Sequence, residues 1–131
     1  FAMQAIYQGH LTQGDTTVIT EKFLAQEEMV SVDTAYFLSL VQGVLEDKVS
    51  LDTQLQLFLD RPLKELDLVE LAILRLGAYE LSQHPEVPYK VILNESIELA
   101  KMFGATDSYK YINGILHLLA KKIRVLEFKD K

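Results

Sequence analysis

The sequence predicts an all-α protein. Apolar residues recur at i, i+3 and i+4 intervals along most of its 131 residues, and no stretch keeps period-two alternation between turn pairs. Glycine (6) and proline (3) are both sparse, which leaves room for long helices and little for loop-built scaffolds.

Each element can be argued in chain order. The opening segment through Gln13 carries Ala2, Ile6 and Leu11 at helical spacing with Tyr7 beside them, and Gly14-Asp15 reads as a stop. A shorter helix is expected from Val18 to Glu28, with Val18, Phe23 and Leu24 as apolar contacts. Ser31-Val32-Asp33 supplies caps for the next, where Tyr36, Phe37, Leu40, Val41, Val44 and Leu45 keep the pattern. Val49, Leu51, Leu55, Phe58 and Leu59 continue it, as one long helix or as two joined near Asp47. Asp60-Arg61-Pro62 ends the run, because proline lacks the helix donor and clashes with the previous turn.

After a short helical stretch, Asp67-Leu68-Val69-Glu70 has capping-box spacing. The helix it opens is read as amphipathic, with Val69, Ile73 and Leu76 in one stripe, ending near Gln83 before Pro85 and Pro88. Pro88 suits the first turn of a helix carrying Val91, Ile92, Ile97, Leu99, Ala100 and Phe103, and Gly104 is its stop. Thr106 or Asp107 then caps a last major helix with Ile112, Ile115, Leu116 and Leu119. The expected architecture is two small packed helical bundles in one compact domain, residues 1–60 and 61–131.

Composition excludes several chemistries. With no cysteine there is no disulfide framework, thiolate metal site or cysteine nucleophile, and the chain suits a reducing cytoplasm. His10, His84 and His117 lack ligand spacing, so no metal is expected, and no phosphate loop, dinucleotide fingerprint or nucleophile elbow implies a cofactor or catalysis. No apolar run reaches the roughly 18 residues that would span a membrane. The net charge of −6 opposes nucleic-acid binding as a bulk property, but residues 121–131 hold Lys121, Lys122, Arg124, Lys129 and Lys131 against Glu127 and Asp130. That tail reads as a solvated helix end whose cations complement the helix dipole.

Four local features invite a functional reading. Glu95 and Glu98 stand one helical turn apart, an acid pair only if a cleft separates their pKa values and otherwise ordinary surface carboxylates. Asn94 and Asn113 lie in helices beside apolar residues, where a buried amide would tie one helix to another. Gly114 would admit close approach of a second helix. Tyr109-Lys110-Tyr111 opens the last major helix, where aromatic rings beside a cation can stack unpaired bases and hold phosphate, or simply pack against the core and its rim.

Two stretches carry a family resemblance: VELAILRLGAYEL (Val69 to Leu81) and VPYKVILNESIELAKMFGATDSYKYINGIL (Val87 to Leu116). The Leu74-Arg75 and Tyr79-Glu80-Leu81 runs, Val87-Pro88, Asn94-Glu95, Phe103-Gly104 and Asn113-Gly114 together resemble the C-terminal half of the NusB family. Ala2 through Tyr7 is similar to its N-terminal Ala-x-Gln-Ala-[Leu/Ile]-Tyr motif. The resemblance implies a bacterial, non-enzymatic transcription antitermination factor. Such a factor binds boxA RNA together with NusE, the small-subunit ribosomal protein, and helps RNA polymerase read through terminators in ribosomal RNA operons. By position it implies RNA contact at Tyr7, Asp107, Lys110 and Tyr111 and partner contact at Glu70, which is also the capping-box acid. Family members carry an arginine-rich stretch before the N-terminal motif, and Phe1 is a poor initiator, so such an arm is expected upstream. Two other readings stand beside this one. Some ribosomal RNA cytosine methyltransferases carry a NusB-like domain, of which this would be a fragment; alternatively, apolar helix faces would pair copies into a homodimer.

Overall fold

A computed structural model of the chain describes residues 2–12 and 34–129. Within them lie α1 (Ala2–Thr12), α2 (Thr34–Glu46), α3 (Lys48–Gln56), a single 3-10 turn (Leu63–Glu65), α4 (Leu68–Gln83), α5 (Tyr89–Phe103), α6 (Ser108–Ile123) and α7 (Val125–Lys129). No strand occurs among the described residues, and no described helix is long and apolar enough to cross a membrane. The expected helix at 18–28, the stop at Gly14-Asp15 and the cap at 31–33 lie outside the described residues.

Helix α4 is the axis of the fold, with α1, α2, α3, α5 and α6 all packed on it. One apolar cluster runs from Met3 and Ile6 through Leu51 and Leu55 to Ile112 and Leu119. The single-stripe reading of α4 is corrected here. Every residue from Leu71 to Ala78 is buried, as are Glu80 and Leu81, while the stripe's first member, Val69, is only half-buried. A helix enclosed by five others needs apolar groups all round, so its periodicity understates its burial. Ile73, Leu74 and Leu81 are each buried at 1% exposure or less, and such a side chain contributes roughly 1.5–3 kcal/mol.

Close approach to this axis falls at Gly43 and Gly77. A Cβ on Gly43 would stand 2.1 Å from the Tyr79 ring, and one on Gly77 would stand 2.7 Å from a Leu116 methyl. Gly114, expected to serve that purpose, faces open space, because the inward side of α6 is already taken by Ile112, Ile115 and Leu116. Asn94 is likewise exposed and ties no helices together, and Asn113 is half-buried.

The run from Thr34 to Leu59 resolves into two helices with a bend at Asp47 (φ −108°, ψ 21°). Val49, expected inside, is 83% exposed, since Leu51 and Leu55 continue the buried stripe of Val44 and Val49 falls on the opposite side of it. Helix α3 closes at Gln56, before Asp60-Arg61-Pro62, which forms the corner leading to α4.

Both ends and the middle of α4 are held by polar groups. At its start, Asp67 accepts the Glu70 N–H at 2.7 Å, half of the predicted capping box. Midway, buried Arg75 makes a two-point ion pair with Asp52 (2.7 Å and 2.7 Å) and donates to His10 Nε2 at 3.1 Å, joining α4 to α3 and α1. At its end Arg124 donates to the carbonyls of Leu81 (2.8 Å), Glu80 (3.3 Å), His84 (2.9 Å) and Val87 (2.9 Å), and pairs with Glu127. Glu127 in turn accepts the Tyr89 N–H that opens α5, at 3.0 Å. Burial pushes the Glu127 carboxyl up, but that N–H and Arg124 outweigh it and hold it below the usual range. The tail read as free cations thus gives Arg124 to the interior, leaving Lys121 and Lys122 exposed.

Two measurements follow from these contacts. Arg124→Ala takes one donor from each of four carbonyls and from a carboxylate, so stability should fall by roughly 3 kcal/mol, read as a lower urea midpoint with the m-value unchanged. His10 is the second: burial first, then the Arg75 charge, lowers its pKa from 6.5 to about 4. Between those values the unfolded chain binds more protons than the folded one, so stability contributed here is present above pH 6.5 and lost as pH falls toward 4. Buried Glu80, raised by burial, works in the opposite sense. The comparison is therefore with His10→Gln, whose urea-derived stability should decline less over that window; equal declines would show that His10 is not the source.

Candidate functional site

The α5–α6 turn and the corner before α4 build one surface. Helix α5 stops at Gly104, whose N–H bonds the Ala100 carbonyl at 2.8 Å, and α6 begins at buried Ser108. Asp107 occupies the N-cap position (φ −109°, ψ 9°) but its side chain caps nothing, a correction to the expected role. Its dihedrals lie outside the extended region from which a cap reaches back. It pairs instead with Lys110 at 3.7 Å, with side chains 77% and 67% exposed, a geometry that contributes little to stability.

Tyr109 is half-buried against the core, with Lys101 and Lys110 ammonium groups 5.0 Å and 5.9 Å from its ring centre. Tyr111, also half-buried, donates its hydroxyl to Asp60 Oδ1 at 3.1 Å. The Arg61 guanidinium carbon sits 4.5 Å from the centre of the Tyr111 ring, and Arg61 Nε donates to the same Asp60 oxygen at 3.2 Å. Asp60 is held below the usual carboxylate range by Arg61 first and Tyr111 second. Tyr111 is raised by burial and by its bond to that carboxylate. Of the two alternatives, the structure shows packing against the core for both rings, and each ring also carries a cation on its face.

Glu70 stands in the first turn of α4, where burial and then the neighbouring Asp67 charge raise its carboxyl pKa. Its charge also reaches Arg61, so the residue assigned to a partner and the Tyr111 corner are electrostatic neighbours. Tyr7 lies half-buried on α1, and among the described residues no bond or ring contact ties it to Lys110 or Tyr111. Arg61 was legible in sequence only as part of a helix stop; nothing in its spacing places it on a ring 50 positions away. Glu95 and Glu98 are both exposed beside a cavity of about 340 Å³. Buried Glu80, which the sequence singled out only within the Tyr79-Glu80-Leu81 run, accepts the Tyr36 hydroxyl at 2.8 Å.

This is an all-helical protein whose distinctive surface is a rim of aromatic and cationic side chains at one helix start. A model of the NusB family matches residues 1–121. The transcription antitermination protein NusB of Marinobacter nauticus is 47% identical over 99% of this chain and 82% of its own length. That of Alcanivorax borkumensis is 48% identical over 100% of this chain and 87% of its own. The structure of T. maritima NusB superposes with a TM-score of 0.86 at 26% identity, over 98% of this chain and 92% of the other. The chain belongs to the NusB family and is a transcription antitermination factor, not an enzyme. These relatives are little longer than the stretch matched, so no methyltransferase-sized region accompanies it in them.

The two aspartates at helix starts should separate cleanly. Asp67→Ala should cost about 1 kcal/mol, whereas Asp107→Ala should stay within about 0.5 kcal/mol, both read from urea denaturation.

Proposed function

We propose that this factor binds boxA-type single-stranded RNA together with NusE, as part of the RNA polymerase antitermination complex that reads through ribosomal RNA operons. The observation that supports it best is the aromatic–cation rim of Lys110, Tyr109 and Tyr111 at the start of α6 in a member of this family. Half-buried rings fixed against a core lose little entropy on binding, and each can stack one unpaired base. Lys110 is held by an exposed ion pair with Asp107 and a distant contact with the Tyr109 ring, so a phosphate can take it at small expense. In this reading the face draws on both parts of the chain, with Tyr7 from residues 1–60 and Asp107, Lys110 and Tyr111 from 61–131. Glu70 meets NusE through a cation of the partner, which would oppose the burial and the Asp67 charge that raise its carboxyl pKa.

The test is a fluorescence titration of the full-length protein with boxA RNA, with and without NusE. Binding with NusE present should be tighter than with either protein alone. Tyr111→Ala should weaken RNA binding by roughly 5- to 150-fold, the range for one lost base stack. Lys110→Ala should flatten the salt dependence by about 0.7 in log–log slope. Glu70→Gln should weaken NusE binding. No preference for boxA over a scrambled RNA with NusE added would overturn the proposal.

A further inference from the structure

Beside the Tyr111 corner lies a groove of about 560 Å³ lined by Gln56, Arg61, Pro62, Leu63 and Lys64. No acid is among these lining residues, although the chain as a whole carries −6. Arg61 spends Nε on Asp60 and lays its plane's centre against Tyr111, but its two terminal nitrogens meet no acceptor among the described residues. Lys64 and Gln56 are exposed and likewise make no side-chain hydrogen bond or ion pair to any described residue. The groove therefore presents a guanidinium, an ammonium and an amide, all with donors unspent, leading away from a ring already assigned to base stacking.

We infer that this groove is the continuing path of the RNA strand, with Arg61 and Lys64 as phosphate-binding residues that extend the face beyond Tyr111. The inference rests on the RNA-binding reading above. The ligand chemistry follows from the geometry. Asp60 fixes Arg61 in place, so its remaining donors are pre-oriented, as a phosphate clamp requires. A guanidinium lying on a tyrosine ring also offers its outer plane to a further base. A protein partner would need acids of its own to satisfy these donors. A single RNA strand brings one phosphate per nucleotide and needs no other complementarity.

The experiment measures boxA RNA affinity over a range of salt, and NusE affinity in parallel, for the wild type and for Tyr111→Ala, Arg61→Ala, Lys64→Ala and Lys64→Glu. Lys64 touches neither Tyr111 nor Asp60, so its variants report on the groove alone. Arg61→Ala and Lys64→Glu should each weaken RNA binding roughly tenfold, and Arg61→Ala and Lys64→Ala should each flatten the salt slope by about 0.7 where Tyr111→Ala leaves it unchanged, with NusE affinity unchanged throughout. If Tyr111→Ala weakens RNA binding but both Lys64 variants leave affinity and slope intact, the groove is not the path and the functional reading survives. Loss of NusE affinity in place of RNA affinity would make the groove a protein surface and overturn the inference. A wild type that binds no RNA with NusE present would remove both.

Discussion

Helix α4 has no solvent face. With Leu71 through Ala78 all buried, any polar group carried there must find a protein partner in place of water, and so must the carbonyls of buried Glu80 and Leu81. The fold is organised around meeting that demand. Arg75 is answered by Asp52 and His10, Glu80 by Tyr36, the first turn by Asp67, and the last carbonyls by Arg124. Each answer comes from a different element, so the polar partners fix the relative placement of helices that apolar packing alone would leave free to slide.

The same demand shapes the surface. Arg124 is drawn inward by the carbonyls it serves, which removes a cation from the tail. Arg61, Lys101 and Lys110 stay outside, at the α5–α6 turn and the corner before α4, each against a tyrosine ring that packs on the core. An acidic protein can in this way keep a local cationic rim, because the field felt by a phosphate a few ångströms away is set by nearby charges and not by the distant sum. Asp60 and Asp107 temper the rim without cancelling it. Asp60 fixes Arg61 and Tyr111 relative to each other, and Asp107 holds Lys110 loosely enough to release it.

Much of this was legible in the residues, and the misreadings share a cause. Asp67 as a cap, Gln83 as a helix end and Gly104 as a stop depend on neighbours within a few positions, and all three stand. Asn94, Gly114 and Val49 were assigned to interiors from local apolar company, yet all three are exposed. Which flank of a helix meets another helix is decided by the packing partner. Asp107 shows the boundary within a single residue: its position before α6 was correct, but its backbone angles, set by the turn out of α5, deny it the cap.

By itself, the sequence determined an all-helical chain without thiol chemistry, the order of its described helices, and a family likeness concentrated between Val69 and Leu116. Those are properties of spacing, propensity and residue type, which act over one or two helical turns. Only the tertiary structure decided that α4 is enclosed on every side, that Arg124 serves its last carbonyls from 40 residues away, and that Arg61 belongs to the Tyr111 rim. Contacts of such separation depend on how packed helices cross, and no local period encodes that crossing.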